Sequence, residues 1–327
     1  KIAGTVALPL ALAIASAASA ATVVDTDAHR LQIGGFVAAQ GIWSMPDEGD
    51  GDFSMGLSTT RLNVNYTAKT DAGDVRVMYE NDYVGGGYRL RHAAIFHDGW
   101  VAGQTWSFAS NLVGLAETVE QNGNAVRSAF TARNAVLGKV FSLADGMTVG
   151  VSLEDKAQST ESMVPDLTAN FTGKFGDTTV FAAGQMVQVA DDSEMRLTFG
   201  LAQQLGNQMK LNAAFTSYID DAWLSVGGQF KVNDQVRTNL VVEQSMMDAD
   251  DADYTAIWVN AFYKMASGLE WGAELGMVSG DVGADEQAAA LAGGMTQDEI
   301  NAYLPALGTG GKLDGDMTFR LQAKYAF

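Results

Sequence analysis

The chain has 327 residues, no cysteine, 3 histidines and a formal net charge of −19 at pH 7. The absence of cysteine excludes a disulfide framework and thiolate chemistry, and the acidic balance argues against a nucleic-acid partner, whose phosphates would be repelled. Mean hydropathy is +0.01, so the chain after its N-terminus offers no run of ~20 apolar residues that could form a spanning helix.

The N-terminus has the pattern of a secretory signal peptide. Lys1 leads into an alanine-rich apolar run that ends in Ala18, Ser19 and Ala20. A basic start, an apolar centre and small residues before the cut define such signals. We therefore expect residues 1–20 to be a cleaved signal peptide and the exported chain to begin at Ala21; an uncleaved membrane anchor is the alternative.

From residue 31 onward, runs of alternating apolar and polar residues follow one another, which is the period of a strand with one wet and one apolar face. Short turns rich in Gly, Asn and Asp alternate with longer polar loops. The predicted strands cover residues 31–43, 57–69, 74–83, 88–96, 100–106, 130–142, 147–156, 164–175, 178–189, 194–205, 208–219, 222–232, 235–247, 254–265, 269–280 and 313–327.

An even number of strands with one short-turn side and one long-loop side is typical of an outer-membrane barrel. The sequence thus predicts an all-β fold, a single transmembrane antiparallel β-barrel over residues 21–327 with about 16 strands, within roughly fourteen to eighteen. The end of the chain supports closure, because Phe319, Leu321 and Tyr325 share an apolar face and Arg320 and Lys324 a polar one. Such a terminal strand is expected to pair with the first strand; a soluble sandwich edge is the alternative.

The segment that departs most from this alternation follows the fifth strand. Residues 107–127 show no period and carry Glu117 and Glu120. A structureless insertion of this length is usually functional. We interpret it as an inward-folded constriction loop that sets both glutamates across from Arg89 and Arg91. On the fourth predicted strand, residues 88–96, Ala94 and Phe96 are assigned to the outward parity, together with His92.

Basic residues accumulate on the inferred lumen face of three consecutive strands and of the strand after the insertion. They are Arg61, Arg76, Arg89, Arg91, Arg133 and Lys139. A lumen lined by such groups has an electrostatic potential that favours anions. Glutamates on the opposite side would create an electric field that runs across the lumen. Most of the excess acidic residues fall in predicted extracellular loops. Because salt screens charges beyond about 8 Å, these loops need not set the ion selectivity of the constriction.

Enzymatic and metal chemistry find little support in the sequence. His29, His92 and His97 form no grouping with a nucleophile or with metal-ligand spacing, and the acidic run 248–253 lacks the glycine and terminal glutamate of a calcium loop. We expect no catalytic residue, no cofactor and no metal. The alanine-rich segment 285–304 predicts a short helix in the last and longest extracellular loop, about residues 281–312, because residues 296–299 have the form of a capping box.

Two short segments resemble the DcaP-like outer-membrane porins. Residues 90–93 read Leu-Arg-His-Ala and residues 99–107 read Gly-Trp-Val-Ala-Gly-Gln-Thr-Trp-Ser, with further similarity at Phe36, 117–118, 122–123 and Arg133. The similarity is confined to residues 34–141. It implies a homotrimeric, sixteen-stranded Gram-negative channel for small anions such as dicarboxylates, in which Arg89, Arg91 and Arg133 line the pore and Glu117 belongs to the constriction loop. The coiled-coil extension of some members has no counterpart in the ten or so residues before residue 31.

The sequence therefore predicts a passive diffusion porin of the outer membrane, surrounded by lipid and lipopolysaccharide, with a preference for small anionic solutes. A general or cation-preferring porin is one alternative, and a plugged structural or adhesive barrel without conductance is another.

Overall fold

A computed structural model describes residues 20–45, 50–57, 59–84, 87–120, 123, 127–155, 164–189, 192–246, 253–280 and 317–327. The predicted last loop, about residues 281–312, with its expected helix, lies outside the described residues, as does the predicted signal peptide up to residue 19. Within the described residues, no helix is long and apolar enough to cross a membrane.

The described residues form one antiparallel sheet that closes on itself. Its segments are β1 Ala21–Asp25, β2 His29–Met45, β3 Asp52–Gly56, β4 Arg61–Ala68, β5 Val75–Asp82, β6 Arg89–His97, β7 Trp100–Trp106, β8 Arg133–Ala144, β9 Met147–Asp155, β10 Asp166–Phe175, β11 Thr178–Val189, β12 Asp192–Leu205, β13 Met209–Tyr218, β14 Asp221–Lys231, β15 Val236–Met246, β16 Tyr254–Lys264, β17 Leu269–Gly280 and β18 Met317–Ala326.

Eighteen segments occupy sixteen places around the barrel, because two places hold two collinear segments each. β2 pairs along one edge with β4 and then with β3. Along its other edge it pairs with β18 over Phe36–Met45 and with β1 over residues 30–33. The backbone of Phe327 exchanges two hydrogen bonds with Gly35 at this seam. The predicted barrel with its paired final strand is confirmed, and β1 is an addition that the alternation did not predict.

The two faces of the sheet differ as the alternation predicts. Outward side chains form an apolar belt, with Leu137 55% and Leu240 52% exposed, whereas inward Thr168 and Gln185 are 0% exposed. Polar groups fill the interior because only the outer face meets hydrocarbon. Five of the short turns carry a glycine with φ between 60° and 87°: Gly99, Gly146, Gly176, Gly206 and Gly268. A two-residue hairpin turn needs this left-handed backbone, which glycine adopts without strain.

A β-bulge between β5 and β6 changes which face their residues present. Glu80 pairs with His92 and the next residue of β5 pairs with Leu90, so Arg91 is an extra residue in β6. An extra residue shifts the following residues to the opposite face. His92, Ala94 and Phe96 are accordingly buried in the interior, at 4%, 2% and 8% exposure. Their assignment to the outward parity from the sequence was wrong.

Candidate functional site: the inner loop and the walls of the lumen

The connection between β7 and β8, which we call the inner loop, is described at residues 107–120, 123 and 127–132, and these residues run along the inside of the barrel. Side chains of the wall hold its backbone: Asn170 on β10 donates to the carbonyl of Phe108 at 2.7 Å, and Asn212 on β13 donates to that of Val113 at 2.8 Å. Further along, Gln40 on β2 donates to the carbonyl of Val119 at 3.3 Å. The inner loop therefore reaches from its own strands to the opposite side of the lumen.

Three buried glutamates of the wall accept backbone N–H groups of the inner loop. Glu154 on β9 accepts from Phe108 at 2.8 Å. Glu274 on β17 accepts from Val119 and from Glu120, both at 2.7 Å. Glu243 on β15, with 2% exposure, accepts from the backbone and the hydroxyl of Ser128. A carboxylate is a strong acceptor for such donors, so the loop is fastened near its start, middle and end.

These three glutamates were not among the residues predicted from the sequence. Each lies on the inward parity of its strand, where a buried carboxylate needs a partner. That parity was the available signal, but the partners are main-chain groups of a distant segment, which no side-chain pattern reveals.

Inward glycines of the wall lie where the inner loop touches it. A Cβ on Gly150 would meet the ring of Phe108 at 2.8 Å, and one on Gly272 would meet Val119 at 3.0 Å. At Gly200 and Gly227, an added Cβ would overlap Asn111 and Ala116, respectively. Missing side chains at these positions let the loop lie flat against the wall. The apolar parts of the loop pack there too, in clusters that include Phe108, Val113 and Ala116.

The glutamates singled out in the inner loop are both paired with arginines that sequence analysis did not select. Glu117 accepts from Arg237 on β15 through two bonds of 2.7 and 2.8 Å, and Arg237 also binds Glu270 at 2.8 Å. Glu120 accepts from Arg320 on β18 and from the indole of Trp258, both at 2.9 Å. Their charges are thus largely neutralised on the β15–β18 side of the lumen.

Arginines of β4 and β6 gather at two carboxylates of β5. Arg89 donates twice to Asp82, at 2.8 and 2.7 Å, while Arg91 reaches Asp82 at 2.6 Å and Glu80 at 2.7 Å. Arg61 lies 3.6 Å from Glu80. Asp82 is 0% exposed and Glu80 4%. The structure therefore brings three of the predicted residues together, but around counter-ions that the sequence analysis did not select as site residues.

Arg133 and Arg76 have no carboxylate partner among the described residues. The guanidinium of Arg133 lies 3.5 Å from the centroid of the Trp106 ring, and its Nε donates to His92 at 3.3 Å. Its Nη2 is buried without a hydrogen-bond partner. The guanidinium of Arg76 lies 4.4 Å from the centroid of the Phe96 ring, with Nε and Nη2 likewise unpartnered. Aromatic faces hold these cations in place while leaving donors open.

Lys139 does not join this group, which corrects its prediction as a pore-lining residue. It pairs with Trp100 on the outward face of β8, alongside Leu137, which is 55% exposed. Its ammonium group lies 3.2 Å from the carboxylate of Asp98 in the short turn between β6 and β7. After Arg133, the first residue of β8, the odd-numbered residues of the strand face outward. Lys139 was placed in the lumen because it has the same parity as Arg133.

Across the described ranges, no group of three or more His, Asp or Glu side chains is arranged to hold a metal ion. The histidines serve other contacts: the Nδ1 of His92 lies 3.1 Å from the hydroxyl of Thr105, and that of His29 lies 2.8 Å from the hydroxyl of Tyr66.

No protein-family model matches the chain, and no curated protein matches it significantly. Solved structures do match. The outer membrane channel DcaP of Acinetobacter baumannii aligns with a TM-score of 0.73 at 20% identity, over 94% of this chain and 100% of that one. The chain has the porin fold. An anion-selective porin from Comamonas acidovorans aligns with a TM-score of 0.67 at 14% identity, covering 91% and 100%. OmpT of Vibrio cholerae, expressed in the outer membrane, aligns with a TM-score of 0.65 at 16% identity, covering 93% of this chain and 99% of that one.

Proposed function

We propose that this chain is an outer-membrane diffusion channel for small hydrophilic solutes with a preference for anions such as dicarboxylates. The porin fold, the apolar outer belt and the polar interior support a passive channel. Export through a cleaved signal peptide over residues 1–20, assembly as a homotrimer and contact with lipid and lipopolysaccharide belong to the same proposal.

The distribution of charge on the two sides of the lumen supports the anion preference. On β4–β6, Arg61, Arg89 and Arg91 pair with the described carboxylates Glu80 and Asp82. Arg76 on β5 and Arg133 at the start of β8 lie against aromatic rings and have no carboxylate partner among the described residues. On β15–β18, by contrast, Arg237, Arg320 and Lys324 pair with glutamates, and the buried Glu243 and Glu274 add two more carboxylates. Among the described residues, the lumen therefore has a positive side and an opposite side on which glutamates outnumber the cations of the wall, and the positive side favours anions.

A single observation carries the proposal: Arg133, partly exposed beside the arginine cluster, has no carboxylate partner among the described residues. A passing carboxylate can pair with the guanidinium of Arg133, whereas Arg89 and Arg91 already have carboxylates of their own. The positive charge that a solute meets in this part of the lumen is therefore that of Arg133, with Arg76 further along the same wall.

The test is the reversal potential of the purified protein in a planar bilayer under a tenfold KCl gradient. We expect a potential toward chloride. Arg133→Gln should lower the chloride-to-potassium permeability ratio by about fivefold, since one charge at close range contributes about 1 kcal/mol in water. Lys139→Gln, on the outer face, is the matched control and should leave the ratio unchanged. A potential toward potassium would contradict the anion preference, and the absence of conductance would contradict the channel.

A further inference from the structure

A cavity of about 400 Å³ lies between the inner loop and strands β13–β15, away from the arginine cluster. This volume falls within the range of small-molecule sites. From the wall, Lys210, Gln229, Asn239 and Val241 line it, and from the loop Leu115 does, among others. The lining therefore combines a cation, amides, apolar carbon and two carboxylates, Glu117 and Glu120, of which Glu120 is paired with Arg320 at 2.9 Å.

Two lining groups have hydrogen-bonding capacity that the described residues do not use. The ammonium of Lys210 has no ion pair or hydrogen bond among them. The Oδ1 of Asn239 is buried and accepts no hydrogen bond. The orientation of this amide is fixed, because its Nδ2 donates to Asn260 at 2.6 Å and to Glu117 at 3.4 Å. Leaving such a group unsatisfied is unfavourable, so the cavity offers one free donor cation and one free acceptor.

Lys210 and Asn239 lie in one row across the sheet. Lys210 pairs with Gln229 on β14, and Gln229 pairs with Asn239 on β15. Neighbouring strands are about 4.8 Å apart, which puts the two backbones roughly 10 Å apart, and both side chains point inward. The long lysine stem spans most of that separation. A ligand that uses both groups is therefore small, with its anionic and donor groups close together.

The carboxylate of Glu117 also lines this cavity but does not oppose an anion. Its two oxygens are occupied by Arg237, at 2.7 and 2.8 Å, and by Gln229 at 2.9 Å. Its negative charge is matched by that of Arg237, so the charge of Lys210 remains available to a ligand.

We propose that this cavity is a binding site for a small carboxylate that carries a hydrogen-bond donor beside the carboxylate, an α-hydroxy acid or an α-amino acid. Lys210 binds the carboxylate, the hydroxyl or ammonium group donates to Oδ1 of Asn239, and Leu115 and Val241 contact the carbon chain. The site deepens the proposed function, on which it rests for an open lumen through which the ligand arrives.

The test compares lactate with propionate, which differ by the hydroxyl group, using saturation-transfer NMR on the purified barrel in detergent. Lactate should half-saturate the protein at a concentration about fivefold lower than propionate, the gain expected of one hydrogen bond. Lys210→Met should raise the half-saturation for both acids about tenfold, while Lys210→Arg keeps most of the binding because it keeps the charge.

Lys174→Met is the matched control, since Lys174 faces the lumen on β10 but does not line the cavity. It should bind both acids like the unmodified protein. Equal binding of lactate and propionate, unchanged binding by Lys210→Met, or the same loss in Lys174→Met would each overturn the proposal. Binding in detergent needs no conduction, so a barrel that conducts no chloride would refute the proposed function while this measurement still decides the cavity.

Discussion

Glu274 on β17 accepts the backbone N–H of Val119 at 2.7 Å from a position that is 1% exposed. A buried side chain of the wall thus replaces the strand partner that the inner loop lacks. With Glu154 and Glu243 acting in the same way on Phe108 and on Ser128, the inner loop is held as an ordered second layer of the barrel.

Replacing Glu274 by alanine should loosen the middle of the inner loop. The N–H groups of Val119 and Glu120 would lose their acceptor, and each unsatisfied buried donor costs about 1–3 kcal/mol. Hydrogen exchange of the peptide that contains both amides should accelerate by roughly tenfold or more, and single-channel current should become noisier. Glu194→Ala is the control, since Glu194 on β12 makes no described contact with the loop. Unaltered exchange in Glu274→Ala would show that other contacts hold the loop.

Gly200→Ala should displace the inner loop toward the centre of the lumen. The new methyl group would overlap the side chain of Asn111, which donates to the carbonyl of Phe199 at 2.6 Å and cannot simply swing away. Overpacking of this kind costs about 1–3 kcal/mol. Single-channel conductance should fall and the denaturation midpoint should drop. Gly184→Ala, whose Cβ would lie 3.7 Å from its nearest neighbour, should change neither. A conductance equal to that of the unmodified protein would indicate that the loop does not narrow the pore.

Asp82→Asn should increase the anion preference and weaken the fold. Arg89 and Arg91 would keep a neutral hydrogen-bond acceptor but lose the charge that matches theirs, so the positive side of the lumen would gain one net charge. Removing one partner of a buried ion pair costs roughly 3–5 kcal/mol, and Asp82 is 0% exposed. The reversal potential should move further toward chloride. Asp98→Asn, which changes the outward partner of Lys139, serves as the control, and a shift toward potassium in Asp82→Asn would refute the assignment.

The barrel could be predicted from the sequence because a two-residue period and glycine turns act locally. The alternation within each strand shows which face is polar and which is apolar, and the glycines at Gly99 and Gly146 indicate tight turns. The same two-residue period assigned side chains to the lumen or to the outer face. These assignments were wrong for Lys139 and for His92, because the period is interrupted at the start of β8 and at the bulge between β5 and β6.

The partners of the site residues could not be predicted, since they depend on which distant groups meet across the lumen. Glu117 and Arg237 are 120 positions apart in the chain, and no local pattern couples them. Glu274 accepts hydrogen bonds from backbone N–H groups, which every residue has, so the sequence does not reveal this contact. The sequence showed the accumulation of arginines on the lumen face, but it did not show which of them have a carboxylate partner.

The inward glycines that contact the inner loop limit how the sequence of this barrel can change during evolution. Gly150, Gly200, Gly227 and Gly272 come from four different strands, yet each is shaped to one residue of a single connection. A loop taken from a related barrel would leave the space at these glycines unfilled. The inner loop of this chain, placed in another barrel, would clash with the side chains that stand at the corresponding positions. Loop and wall therefore have to change together, and a solute preference that needs a different inner loop also needs a different set of small residues on the wall.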